Sequence, residues 1–371
     1  MPPRETYRPA RRLLLLLLCL VLTACGLTPP RRTAPPPEGS SFAIHFIDVG
    51  QGDSALVLCD GAAMLIDGGE SDQSSLLYSY LRDLNIRHLD YLVATHPHSD
   101  HIGGLSGAVQ IARVGTALSP VDDWDTKTFR SLKKYLAEQD VAFTVPAAGD
   151  AFDLGSATVT VLGPLKDYDE VNDTSIVLRI DYGETSFLFT GDMERTAEAD
   201  LLDAGADLRA TVLKAGHHGS DTSTSYPFLR AVDPACAVIS CGAGNSYGHP
   251  DEGTLSRLRD AGAAVYRTDL QGTVICESDG ETVTFTTERD TAPTPPRSDR
   301  AEPPEDAQTP DTAQGPGQAQ EAMIGNRKSK KFHAPDCPNL PAESNRVLFD
   351  SYEAAQAAGY TPCGNCLGNR E

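Results

Sequence analysis

Three histidines and an aspartate fall within the six residues His96-Pro97-His98-Ser99-Asp100-His101, and Gly103-Gly104 follow closely. A loop has little structural use for that density of imidazole and carboxylate. Neutral imidazole nitrogen and carboxylate oxygen are the ligands that borderline divalent cations take. Alternate residues His96 and His98 can point to one ion, and Asp100 and His101 to a second nearby. Other groups of the same chemical kind stand alone. Asp67 follows Leu65-Ile66 and precedes Gly68-Gly69; Asp192 follows Thr190-Gly191; Lys214, His217 and His218 lie close together. On turn chemistry alone Asp67 is as readily a turn cap, and Asp192 a helix N-cap.

The elements that must position these groups are legible as periodicity. Leu89-Asp90-Tyr91-Leu92-Val93-Ala94 reads as a buried strand delivering the histidine loop at its end. Phe42–Ile47, Ala55–Leu58, Ala63–Ile66, Thr158–Leu162, Ile176–Ile180 and Ser186–Thr190 are β-like, with Asp181–Glu184 as a hairpin turn. Ser74–Leu84, Thr126–Glu138, Met193–Ala204 and Thr254–Ala261 have helical spacing. Such alternation permits two sheets covered outside by helices, an α/β class.

His-x-His-x-Asp-His resembles the signature of the metallo-β-lactamase-fold hydrolases. Further phrases narrow the resemblance: Phe46-Ile47-Asp48-Val49-Gly50-Gln51-Gly52-Asp53, Leu65-Ile66-Asp67-Gly68-Gly69, Thr190-Gly191-Asp192, Leu213-Lys214-Ala215-Gly216-His217-His218-Gly219-Ser220 and Tyr247-Gly248-His249-Pro250. Together they are similar to the soluble hydrolase domain of ComEC-type DNA-uptake proteins, from about Phe42 to about Phe285. The resemblance implies an αββα sandwich and a site for two divalent ions, zinc or manganese. It implies that Asp192 bridges them and that Asp67 orients a metal-ligating histidine. One of His217 and His218 completes the second metal site. His217 is favoured, which leaves His218 and Lys214 facing the substrate. His249 either lines the same cleft or closes a loop; His45 and His88 read as ordinary strand and turn residues.

The chain departs from the lactamases of that fold, which carry a third histidine before the bridging aspartate. Between Gly104 and Gly191 it has no histidine, and Val171-Asn172-Asp173-Thr174-Ser175 stands there instead. Asn172 or Asp173 supplies an oxygen ligand in this reading, Asn172 being favoured. That makes the first site harder and friendlier to manganese, and speaks against lactam hydrolysis.

Around this domain, 41–286, the chain is segmented. Arg4, Arg8, Arg11 and Arg12 precede the apolar run Leu13–Leu22, which is too short to span a bilayer. Leu22-Thr23-Ala24-Cys25 resembles a lipobox. Residues 1–25 are therefore expected to be a lipoprotein signal, with lipidated Cys25 anchoring an exported protein to the membrane's outer side and no transmembrane domain. Residues 26–40 form a Pro-rich tether, and 287–322 a disordered acidic linker.

Residues 323–371 read as a small metal-stapled domain. His333-x3-Cys337 and Cys363-x2-Cys366 have the spacing of a closed zinc site, and a piece this small needs such a staple. This part resembles the metal-binding domain of the Ada DNA-repair protein. His333 stands where that family has its methyl-accepting cysteine, so methyl transfer is not implied. Cys59, Cys236, Cys241 and Cys276 read as buried and inert, although a Cys236–Cys241 bridge is conceivable in an oxidising compartment.

The net charge is −21, and residues 41–286 carry the whole of it because the flanking segments cancel. So acidic a body excludes tight non-specific DNA binding through its surface, because duplex affinity rests on neutralised phosphates. The function expected is an exported two-metal phosphodiesterase or nuclease acting on DNA or another phosphodiester polymer. The alternatives are a hydrolase of envelope phosphoesters such as phosphocholine on teichoic acid, and a DNA-capture module with secondary hydrolase activity.

Overall fold

The computed structural model describes residues 36–297 and, in the C-terminal part, 323–327, 329–334, 346–349, 355–356 and 358–363. The chain divides after Glu302 into two compact units. The expected signal, Cys25 and most of the tether lie outside the described residues, as do Cys337 and Cys366.

The first unit is built on two sheets. The first takes strands β1 (Phe42–Phe46), β2 (Ala55–Cys59), β3 (Ala62–Ile66), β4 (His88–Val93), β5 (Arg113–Leu118), β6 (Phe143–Thr144), β14 (Val274–Ser278) and β15 (Val283–Thr287), in the order β15-β14-β1-β2-β3-β4-β5-β6. The second takes β7 (Ala151–Leu154), β8 (Ala157–Gly163), β9 (Val177–Tyr182), β10 (Thr185–Phe189), β11 (Val212–Lys214), β12 (Cys236–Ile239) and β13 (Ala264–Arg267), in the order β13-β12-β11-β10-β9-β8-β7.

Strand periodicity decides what each face buries. In β2 and β3, Ala55, Val57, Met64 and Ile66 point between the sheets, while Leu56, Ala63 and Leu65 point outward. In β9 and β10, Leu178, Ile180, Phe187 and Phe189 enter the same inter-sheet core, and Val177 and Leu188 face away. Aromatic rings join the layers: Phe42 stacks on Tyr182 at 4.9 Å and on Phe187 at 4.8 Å. Each such buried ring contributes about 2–3 kcal/mol from area alone.

Helices cover the outer faces because their apolar stripes meet these outward residues. Helices α1 (Ser74–Asp83), α3 (Leu105–Ile111) and α4 (Lys127–Ala137) lay Leu77, Leu81, Leu105, Phe129 and Leu132 on the first sheet. Between α1 and α3 lies the single-turn α2 (Ser99–Ile102). Helices α5 (Arg195–Asp203), α6 (Tyr226–Val232) and α7 (Glu252–Asp260) lay Leu201, Phe228, Leu229 and Leu258 on the second. The result is the αββα sandwich. Thr126 caps α4 as its sequence suggests, its hydroxyl accepting from Phe129 N.

One expectation about the flanks is corrected. The acidic linker does not start free at residue 287: residues 287–297 pack on the sandwich. Thr294 bridges Val265, the Arg289 guanidinium meets Asp48 at 3.0 Å, and Arg297 pairs with Asp260. Polar composition hid these contacts, since nothing in it marks which charges find partners. Cys236 and Cys241 form no disulfide.

In the second unit, β16 (Met323–Asn326), β17 (Lys331–His333), β18 (Arg346–Phe349) and β19 (Thr361–Pro362) form a sheet in the order β18-β16-β17-β19. Its apolar cluster is small, Met323, Phe332, Ala334, Ala355 and Tyr360. Parallel pairing of β17 with β19 sets Phe332 beside Pro362, so His333 and Cys363 follow at the same end of neighbouring strands. That is the register a shared metal requires.

Candidate metal centre

The chemistry-bearing residues gather where strands from both sheets end. Parallel β3 and β4 run out into Asp67 and the histidine loop, and parallel β10 and β11 run out into Asp192 and the His217-His218 turn. The turn between β1 and β2 adds Asp53. It comes so close that Gly52, at φ +129°, has no room for a side chain: a Cβ there would stand 2.3 Å from the Asp100 carbonyl oxygen. Gly104 is excluded from change in the same way, 2.0 Å from the Gly68 carbonyl oxygen.

Asp192 is the hub. Its Oδ2 lies 3.2 Å from His101 Nε2, 3.5 Å from His218 Nε2, 3.7 Å from His217 Nε2 and 3.9 Å from His96 Nε2. Donor atoms of Asp100, His101, Asp192 and His218 all fall within 4.8 Å of one another. On the other side, His96 Nε2 and His98 Nδ1 are 3.0 Å apart, near the spacing of two ligands that share an ion.

The tautomers follow from the partners. His101 Nδ1 faces the Asp67 carboxylate at 2.8 Å, so that nitrogen donates. Asp67 also accepts from the Thr95 backbone and hydroxyl. His218 Nδ1 faces two acceptors, Asp53 Oδ1 at 3.0 Å and the Ser240 carbonyl at 3.1 Å, so it too donates. Both Nε2 atoms then turn toward Asp192, where a lone pair would oppose a carboxylate. Only a proton or a cation between them makes this arrangement favourable.

The titration behaviour states the same demand. Burial alone would lower His218, but Asp192 and Asp53 push it up to about 10, and His101 is likewise raised by Asp192 and Asp67 against its burial. His96 is held well below its usual value by burial and by His101. Burial opposes ionisation of Asp192, yet the surrounding histidines keep it low. The buried atoms His101 Nε2, Asp192 Oδ1 and Asn172 Oδ1 have no hydrogen-bond partner. A pocket of carboxylates, imidazole lone pairs and orphaned acceptors fits divalent cations.

The structure redistributes the roles expected of the second cluster. His218, not His217, is buried with its Nε2 among the ligand atoms, 3.2 Å from Asp100 Oδ2. His217 sits at the rim with a side chain 22 % exposed, held by Glu194 Oε1 and by the Thr222 hydroxyl, each at 3.2 Å from Nδ1. The choice rests on consecutive left-handed backbones at His217 (φ 48°) and His218 (φ 53°), which no side-chain pattern announces. Lys214 is corrected too. Its ammonium does not face a substrate: it is 3 % exposed, 2.8 Å from Asp53 Oδ2, and donates to the Ala215 carbonyl. Buried charge needs a fixed partner, and Asp53 supplies it. Against its burial, Lys214 and then His218 hold the Asp53 carboxyl down at about 2.

Asn172 and Asp173 separate as well. Asp173 Oδ1 accepts from the Glu194 backbone at 2.8 Å, so that carboxylate is engaged in capping the chain before α5. Asn172 Nδ2 donates to Glu194 at 3.1 Å and leaves its carbonyl oxygen buried and open. His249 lies beside the centre, its ring 5.6 Å from that of His217 and 6.4 Å from that of His218. His45 is bound to the Tyr80 hydroxyl at 2.7 Å, and His88 pairs with Asp90 on β4; both stand apart from the ligand group. Asp53, Thr95, Ser175 and Glu194 support the centre without having been singled out. The one signal for Asp53 was its place after Gly50-Gln51-Gly52 at a strand turn.

A family model described as the metallo-beta-lactamase superfamily matches residues 47–243, and the chain belongs to that superfamily of metal-dependent hydrolases. A second model, the metal binding domain of Ada, matches residues 312–368. Among curated relatives, the chain is 30% identical over 258 residues to ComE operon protein 3 of Bacillus subtilis (strain 168), covering 64% of this chain and 33% of that protein. It is 33% identical over 262 residues to competence protein ComA of Neisseria gonorrhoeae, covering 68% of this chain and 34% of that one. The chain thus spans about a third of the length of these relatives. Among solved structures it is similar to the metallo-beta-lactamase fold protein YhfI of Bacillus subtilis, at 15% identity and a TM-score of 0.45, covering 64% of this chain and all of that one.

Proposed function

We propose that this protein is an exported, metal-dependent phosphodiesterase whose substrate is DNA, anchored to the membrane through lipidated Cys25. The observation that carries the reading is the position of Asp192, whose single carboxylate is ringed by histidine Nε2 atoms from both sheets. Such a carboxylate would be shared between divalent cations held by the residues around it. His96, His98 and Asn172 would hold one, and Asp100, His101 and His218 the other. Divalent ions bound there supply the Lewis acidity that activates water and offsets charge on phosphoryl oxygens.

The remaining residues do the positioning. Asp67 fixes the His101 ring, and Asp53 fixes His218 while Lys214 keeps Asp53 ionised. His217, steadied by Glu194 at the rim, stands where it can deliver a proton to a departing alkoxide. The oxygen ligand in place of a third histidine, and the relatives named for competence, favour a phosphodiester over a lactam. Among the described residues no helix is long and apolar enough to cross a membrane.

The test is a substrate panel of DNA, RNA, bis-p-nitrophenyl phosphate, phosphocholine esters and nitrocefin, under manganese and under zinc. DNA and the small phosphodiester should be hydrolysed and nitrocefin should not. Asp192→Asn should abolish turnover in a folded protein, because the charge that would hold both cations is removed. Turnover of phosphocholine esters alone would move the substrate to the cell envelope.

A further inference from the structure

Beside the metal centre, one large aromatic side chain is displayed to solvent. Tyr247 is 71% exposed, the most open of the large apolar or aromatic side chains that lie exposed among the described residues. Its ring is nevertheless not loose. It stacks on His249 at 5.8 Å with an interplanar angle of 22°, and His249 meets the ring of His217 edge-on at 5.6 Å. The loop that carries it is fixed by one side chain: Asn245 Oδ1 accepts from Tyr247 N and His249 N, both at 3.1 Å. Asn245 Nδ2 donates to the carbonyls of Gly242 and His249. Gly242 N in turn donates to Gln51 Oε1 in the β1–β2 turn, which carries Asp53. The Tyr247 ring is therefore tied to the candidate ligands through an offset contact with His249, and most of its surface is open.

Resting on the phosphodiesterase reading, we propose that Tyr247 is the stacking platform for an unpaired nucleobase of the scissile strand. Two observations point there. The first is the ring's exposure beside the candidate ligands, linked to them through His249 and His217 and through Asn245 and Gly242 to the turn that carries Asp53. The second is electrostatic. An acidic domain holds a polyanion poorly by neutralising phosphates, so its own affinity beside the cations rests on an uncharged contact, whatever the basic residues of the second unit add. Base-on-aromatic stacking is that contact, and it tolerates any sequence because every base has a π-face. A paired base in a duplex presents no such face, so the platform selects single-stranded or frayed ends.

The experiment uses the full chain with manganese and compares wild type, Tyr247→Phe and Tyr247→Ala. Substrates are a single-stranded oligonucleotide, the same oligonucleotide with an abasic site at the scissile position, and bis-p-nitrophenyl phosphate. Tyr247→Ala should raise KM for the base-containing strand by about tenfold, the size of one lost base stack. It should leave the abasic strand and the small phosphodiester within about twofold, and Tyr247→Phe should behave as wild type. A 2-aminopurine base at that position should be quenched on mixing with wild type and not with Tyr247→Ala. Equal KM values for wild type and Tyr247→Ala on the base-containing strand overturn the platform, as does an equal loss on the abasic strand. If wild type cleaves neither oligonucleotide, the DNA reading itself has failed, which is a separate outcome.

Discussion

An ammonium group beside a metal centre is stable only when a carboxylate receives it, and at Lys214 that partner is Asp53. The pair is a lever on His218, because the other Asp53 oxygen holds the His218 ring. Replacing Lys214 by Met should cost about 3–5 kcal/mol, the expected penalty for leaving a buried charge alone. Urea unfolding of the variant would measure it. Adding Asp53→Asn should return part of that stability while turnover stays low, since His218 then lacks its charged anchor. Sequence alone could nominate Lys214 and both histidines but could not distribute their roles. Asp53 and His218 are 165 residues apart, and their contact exists only once two sheets have paired. The left-handed backbone at His217 and His218 is equally silent in the residue types.

Among the elements, the short turn Asn172–Thr174 before β9 is where we expect the metal preference to be set. Asp173 is engaged by the backbone of Glu194, while the Asn172 carbonyl oxygen is buried without a hydrogen-bond partner, which is why we expect it to be the oxygen donor. Manganese should support the higher rate in wild type, and Asn172→His should shift the preference toward zinc, because imidazole is the softer ligand. Rates measured at full occupancy with each metal check this. A higher wild-type rate with zinc would mean that the turn does not set the preference. The strands and helices around the site were readable because their faces differ: Leu56 and Leu65 look out where Val57 and Met64 look in. The two-residue β6 and the packing of residues 288–297 were not, since too few residues carry the pattern and backbone or ion-pair contacts hold them. The candidate ligands of the histidine loop could be nominated from sequence because they are adjacent in the chain.

At the scale of the whole molecule, the question is what the second unit adds. We expect residues 323–371 to form a zinc domain, held by His333, Cys337, Cys363 and Cys366, that helps grip nucleic acid through Arg327, Lys328, Lys330 and Lys331. Lys330 already lies 4.6 Å from the Tyr360 ring centroid, which leaves its charge near the surface of that unit. A chain ending at Glu302 keeps every residue of the catalytic centre. It should turn over a small phosphodiester unchanged, lose activity on long DNA at low salt, and lose less as salt rises. Equal activity on long DNA at low salt would assign the second unit another partner. The centre itself has a different consequence for the molecule. Its groups come from both sides of the connector between β6 and β7: the histidine loop lies before Val145, and Asp192 and His218 after it. Neither portion alone owns a complete ligand set. A nick in that exposed connector should therefore yield fragments whose complementation is gated by a divalent cation, with a tighter fragment Kd under manganese than under chelator.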